Sequence, residues 1–179
     1  MVNRIINKQL LYMKRVMIAL DYNNSAQKVA ETGFEFAKAM NAETCLVNAI
    51  PDISYYTMEY SPVTGFEDFS QGDSIKNLAE QEHEARLFLN SVVKHLGDNS
   101  IKTKVIEGAY YESLLEYASE YGADMIVMGS QGHYGIEKLI MGDVVSKVVQ
   151  HTNTQILIVP ADRTDFQKFG RQSEVNQYI

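Results

Sequence analysis

The sequence is poor in residues that staple a fold, span a membrane or grip a polyanion. Its 179 residues include a single cysteine, Cys45, so an intrachain disulfide and a multi-thiolate metal site are both excluded. One thiol in a chain of this length suits a reducing compartment. Cys45 lies inside an apolar run and reads as a small buried hydrophobe. No stretch approaches the ~20 apolar residues of a spanning helix, and residues 1–7 interrupt their apolar positions too often for a signal-peptide core. Basic charge is scarce: 16 Lys and Arg stand against 23 Asp and Glu, for a net charge of −7 and a pI near 5.1. Such a surface repels phosphate backbones, which argues against sequence-independent nucleic-acid binding. No run of lysines and arginines is present to hold an anionic membrane. These lacks predict a soluble, cytoplasmic protein with neither nucleic-acid nor membrane partners.

Signatures of fast catalysis are missing too. No glycine loop ends in Gly-Lys-Ser/Thr, as a P-loop phosphotransferase requires. Gly129-Ser130-Gln131-Gly132 lacks the spacing of a nucleophile elbow. His83-Glu84 has no second histidine four residues on, so the zincin pattern fails. Asp21 lacks the paired acid and strand-end lysine of a phosphoacceptor domain. His133 is the candidate nearest the glycine loop for activating water, and a solvated loop histidine accounts for it as well. We therefore predict no catalytic residue and no metal-ligand set, and leave slow ATP hydrolysis open as a minor reading.

What is present is an ordinary core. With 45% hydrophobic and 22% charged residues, a chain this long can fold as one domain without staples. Residues 15–20 form a short apolar run that stops at Asp21-Tyr22-Asn23-Asn24, which suits a strand buried on both faces. Ser25 is placed to cap a helix whose apolar positions, Ala26, Val29, Ala30, Gly33, Phe34, Ala37 and Met40, recur at three-and-four spacing. A second strand is predicted over 44–50. Residues 52–73 lose periodicity and collect Tyr55, Tyr56, Tyr60, Phe66 and Phe69, which predicts a long loop, either a lid or a self-packed excursion. Asp73 or Ser74 then opens a long helix closed by Gly97. Residues 101–107 read as an edge strand guarded by Lys102 and Lys104. A helix over 111–121, a strand over 123–128, a glycine-rich loop, a helix over 144–150 and a last strand over 155–160 complete the pattern.

Strands alternating with helices predict an α/β fold, a doubly wound, five-stranded parallel sheet with helices on both faces. Ligands of such sheets bind beyond the carboxyl ends of the strands, where the strand order reverses. That draws attention to Asp21, to residues 49–51 and to Gly129 onward. Glycines between a strand end and a helix start let backbone N–H groups converge on an anion, although the same glycines can serve tight turns alone.

Three stretches carry a resemblance: Val16-Met17-Ile18-Ala19-Leu20-Asp21, the run from Gly122 to His133, and Gln155-Ile156-Leu157-Ile158-Val159-Pro160. Together they resemble the universal stress protein family over residues 14–160, which would leave 1–13 and 161–179 as terminal extensions. Gly129, Gly132 and Gly142 match the family's ATP-binding spacing of glycine, two residues, glycine, nine residues, glycine. The resemblance implies a Rossmann-like fold of the adenine-nucleotide alpha-hydrolase type. It implies ATP or AMP as ligand, with or without Mg²⁺, and a role as stress sensor or regulator. Candidate contacts are Ala19 and Asp21 after the first strand, Ala49 after the second, and Met128, Gly129 and Gly132 after the fourth. Gly142, Asp143, Val144 and Val145 would face the phosphates. For Asp21, a loop-capping carboxylate is an equal reading. The resemblance also implies a homodimer joined through Ile156, Leu157, Ile158 and Val159. One position departs from the pattern: Asp143 stands where the signature has Ser or Thr. A carboxylate accepts hydrogen bonds and repels phosphate, so the alternative is a dimeric interaction module that has lost triphosphate binding. Asp143 could instead cap the helix that follows, and Lys147 lies four residues on to pair with it.

Overall fold

The computed structural model describes residues 13–50, 71–130 and 142–160. The elements run β1 (Arg15–Ala19), α1 (Ala26–Ala39), β2 (Glu43–Ile50), α2 (Gln71–Leu96), β3 (Lys102–Glu107), α3 (Tyr110–Tyr121), β4 (Met125–Gly129), α4 (Asp143–His151) and β5 (Gln155–Val159). The sheet has five strands in the order β3-β2-β1-β4-β5, and every neighbouring pair is parallel. The expected doubly wound α/β architecture is therefore present.

Side-chain alternation explains why the central strands are apolar throughout. Val16, Ile18 and Leu20 of the β1 run face one layer with Leu46, Met125 and Val127, where the buried residues of α1 and α2 meet them. Met17 faces the opposite layer with Cys45, Val47, Ile126 and Met128, covered by α3 and α4. A strand covered on both faces must be hydrophobic at odd and even positions alike. Met17, Ile18, Ile126 and Val127 are fully shielded, and burial of each such side chain stabilises the fold by roughly 1.5–3 kcal/mol. Cys45 is buried as expected; its burial pushes the thiol pKa up, and its nearest polar neighbour is Tyr117 Oη at 3.6 Å.

Gly33 sets how closely α1 lies on the sheet. A Cβ there would stand 2.8 Å from Ile18 Cδ1 and 3.1 Å from Val127 Cγ1. The helix thus rests directly over the β1–β4 junction, where the strand order reverses. At the amino-terminal end of the central strands Gly122 ends α3 in the left-handed region at φ 68°. There the Arg15 guanidinium donates to the Tyr121 carbonyl at 2.9 Å.

Several boundaries differ from expectation. α2 begins at Gln71 rather than 73 or 74: Gly72 falls in the first turn, where N–H groups lack intrahelical partners anyway and a glycine costs least. Residues 51–70, most of the expected loop, lie outside the described residues. Ser25 occupies the N-cap of α1 but makes no capping bond; its hydroxyl donates instead to Asn23 Oδ1 at 2.7 Å, an Asx-type turn that uses up the side chain. β3 starts one residue later than expected, because Ile101 N–H turns back toward Asp98. Lys102 and Lys104 do mark an edge strand, and they also cover aromatic faces, with Nζ 5.9 Å from the Tyr121 centroid and 5.5 Å from that of Tyr117. At the opposite edge, Ile156, Leu157 and Ile158 of β5 are only half-buried. Among the described residues β5 has a strand neighbour on one side alone.

Candidate functional site

The carboxyl ends of β1 and β4 lie side by side at the centre of the sheet, since Ile18 pairs with Val127. Beyond that pair the chains part. β1 continues through Leu20, whose N–H donates to the Val47 carbonyl at 2.8 Å, and then turns at Asp21. β4 continues through Gly129 to Ser130, whose N–H donates to the Val159 carbonyl at 2.9 Å. The strand order reverses between these two exits, the point at which open parallel sheets bind ligands.

The end of β4 and the start of α4 meet directly: Gly142 N–H donates to the Ser130 carbonyl at 3.1 Å. Gly132, a predicted contact, and His133 lie outside the described residues. Gly142 is the N-cap of α4 and, being glycine, makes no side-chain capping bond. The first bond back to the cap is from Ser146 N–H to the Gly142 carbonyl at 2.9 Å. The N–H groups of Asp143, Val144 and Val145 thus belong to the first turn, which has no intrahelical acceptors and carries the positive end of the helix dipole.

Asp143 does not cap the helix, contrary to one expectation. It is the first helical residue rather than the N-cap, so its side chain leans out over solvent, 81% exposed. The pairing with Lys147 is present: Nζ lies 3.0 Å from Asp143 Oδ2 and 5.3 Å from the Tyr111 ring centroid. The Asp143 carboxylate holds the Lys147 ammonium above the usual lysine range. The site therefore carries a paired charge where the signature places a neutral hydroxyl.

The other predicted residues fall together at this end of the sheet. Ala19 and Ala49 are half-buried at the ends of β1 and β2, Met128 is buried at the end of β4, and Val144 is half-buried in α4. All four join the layer under α3 and α4. Val145 is 2% exposed, so its side chain serves the core and only its backbone can address a ligand. The residue that sequence reasoning passed over is Asn48. It is buried in β2, and its Nδ2 donates to the Leu20 carbonyl at 2.8 Å. A lone amide in the apolar run Leu46-Val47-Asn48-Ala49-Ile50 was the available signal.

A groove of about 380 Å³ between α1 and α2, lined by Glu31, Phe34, Glu35, Lys38, His95 and Leu96, belongs to the other end of the molecule. Its main polar contact is His95 Nε2 to Glu31 Oε1 at 2.7 Å, and that bond lowers the Glu31 pKa. Among the described residues no group of three acidic, histidine or cysteine side chains is disposed to hold a metal. None of the described helices is long and apolar enough to cross a membrane.

Comparison with known proteins assigns the architecture to a lineage. The family model for the universal stress protein family matches residues 13–160. The chain belongs to the universal stress protein family. Universal stress protein MJ0531 of Methanocaldococcus jannaschii is 27% identical, covering 86% of this chain and 85% of its own. Universal stress protein Sll1388 of Synechocystis is 26% identical, covering 81% and 96%. Among solved structures, MJ0577 superposes with a TM-score of 0.68 at 21% identity, covering 84% of this chain and 98% of its own. A universal stress protein solved in complex with cAMP gives 0.57 at 23% identity, covering 82% and 97%. At these identities the structural likeness establishes a universal stress protein fold.

Proposed function

We propose that this universal stress protein binds an adenine nucleotide in the crevice between Asp21 and the start of α4, and acts as a sensor or regulator rather than a fast catalyst. The observation that carries this reading is that the β1 exit, the β4 exit and the first turn of α4 all lie at the carboxyl end of the central strands, with Gly142 N–H held to the Ser130 carbonyl at 3.1 Å. First-turn N–H groups and the helix dipole favour a phosphate there. A neighbour of the same fold was solved with cAMP, which makes adenine nucleotides the ligands to test first. Asp21, Ala19 and Ala49 would meet the adenosine, Met128, Gly129 and Gly132 the ribose and phosphates, and Gly142, Asp143, Val144 and Val145 the terminal phosphate groups.

The same proposal assigns the protein to the cytoplasm, residues 14–160 to the domain proper, and a second copy of the chain to the open side of β5. An unpaired apolar strand edge is an aggregation hazard unless another chain covers it. The alternative, an interaction module without triphosphate binding, is favoured by the Asp143–Lys147 pair at 3.0 Å. Calorimetric titration with adenosine, AMP, ADP and ATP, each with and without Mg²⁺, on protein checked for co-purified nucleotide, separates the two. Saturable heats at micromolar ligand support the nucleotide reading. Silence with every adenine compound, on protein shown to be empty, supports the interaction module.

A further inference from the structure

We infer that Asn48 is a positioning residue that fixes the placement of Asp21 relative to Ala49, an inference that rests on the nucleotide reading above. The ladder between β1 and β4 ends at Ile18 and Val127. Between β1 and β2 it ends where Leu20 N–H meets the Val47 carbonyl. The Leu20 carbonyl lies past the last rung, and Asn48 Nδ2 donates to it at 2.8 Å. A side chain thus supplies the rung that the backbone no longer can, at the point where β1 turns into Asp21. The Asn48 backbone meanwhile stays in register opposite Val105, with Ala49 opposite Ile106. One residue therefore ties the carbonyl preceding Asp21 to the peptide preceding Ala49.

The other half of the amide shows that packing is not its purpose. Asn48 is 2% exposed, and among the described residues its buried Oδ1 has no hydrogen-bond partner. A buried acceptor without a donor is destabilising, and an apolar side chain of the same size would fill the position without it. What the amide supplies that leucine cannot is the bond to Leu20. The crevice stays shaped for a ligand because two strand ends that would otherwise fray apart are held in one frame.

The test uses the full chain, Asn48→Leu and Asn48→Asp, with three readouts: melting temperature, calorimetric affinity for adenosine and AMP, and amide hydrogen exchange at residues 21–24. Leucine removes both the orphan acceptor and the clamp, so the melting temperature is expected to stay within a few degrees of wild type. Adenosine affinity falls roughly tenfold, the size of an ordinary coupling between sites. Aspartate keeps the shape but turns acceptors toward the Leu20 carbonyl, so its affinity falls further. Exchange at residues 21–24 quickens in both. Wild-type affinity in Asn48→Leu, with exchange unchanged, overturns the inference. If wild type itself binds no adenine compound, the nucleotide reading fails separately. The clamp is then judged by exchange alone, and unchanged rates at residues 21–24 in either folded variant overturn it.

Discussion

Replacing Asp143 by serine would restore the neutral hydroxyl of the family signature, and the structure allows the effect to be sized. The Asp143 side chain is 81% exposed, so its interaction with a phosphate about 4 Å away belongs near the aqueous limit, roughly 1 kcal/mol per charge pair, rather than the ~4 kcal/mol of an intermediate dielectric. Lys147, 3.0 Å from the carboxylate, offsets part of that repulsion. The nearest one or two phosphate charges of ATP then leave about 1 kcal/mol to recover, so Asp143→Ser is expected to tighten ATP binding roughly five- to tenfold. Adenosine, which brings no charge, should bind as before, and AMP should fall between. Stability should move the other way, because an acid in the first turn favours the helix by roughly 0.3–1 kcal/mol. The assay is calorimetry with adenosine, AMP and ATP at low and high salt. Exposed charges are screened beyond about 10 Å at 0.1 M salt, so the gain should shrink as salt rises. Lys147→Gln in the wild-type background should weaken ATP further, since it strips the carboxylate of its partner. Equal ATP affinity in wild type and Asp143→Ser, or a gain for adenosine as large as that for ATP, refutes the reasoning.

Ile158→Lys places a charge on the half-buried open strand β5; light scattering should report a monomer or an insoluble product, and an unchanged dimer removes β5 from the interface. Gly122→Ala imposes a side chain at φ 68°, with its Cβ 2.8 Å from Arg15 Nη1. The expected loss is about 1–2 kcal/mol, read as a melting temperature lower by roughly 2–8 °C. Glu43 is held below the usual carboxylate range by its hydrogen bond from Lys102, 2.7 Å away across the start of β2 and β3. That contribution is complete above the ordinary value of 4.5 and fades as pH falls through the depressed folded value. Glu43→Gln should therefore lower the neutral plateau of melting temperature slightly and flatten its acid limb, so that the two proteins converge at low pH.

The layered fold was legible because its signals are local. Val16 to Leu20 and Met125 to Met128 are continuous apolar runs, which only strands covered on both faces tolerate. Gly97 and Gly122 mark helix ends by conformations that other residues avoid, and both glycines have positive φ. What composition and spacing could not show was which neighbour a polar side chain would choose. Ser25 has the right identity for a cap, yet Asn23 two residues earlier offers its hydroxyl a nearer acceptor. Asp143 has the right identity for a cap as well, but lies one residue too late, and Lys147 takes it instead. Asn48 was invisible for the opposite reason: its partner, Leu20, is remote in sequence and becomes a neighbour only when β1 and β2 align. The positions of Asp21, Ala49 and Gly129 at the strand ends followed from the alternation of strands and helices, while Gly132 and most of 52–73 lie outside the described residues.

The strand order has a consequence for synthesis. β1 is made early, yet its second neighbour is β4, and Val16 finds Met125 only after most of the chain has been translated. Until then the emerging half-domain holds β1, β2 and β3 with one long edge of β1 unpaired and the Met17 face still without α4. Contacts this distant in sequence slow folding, because the intervening chain must be closed before they form. They also lengthen the time for which apolar edges are open to other chains. A ribosome stalled before β4 would present a sticky three-stranded fragment rather than a smaller version of the protein. The crevice, built from β1 and β4 together, would be the last feature to exist, so no ligand could rescue such a fragment by binding to it.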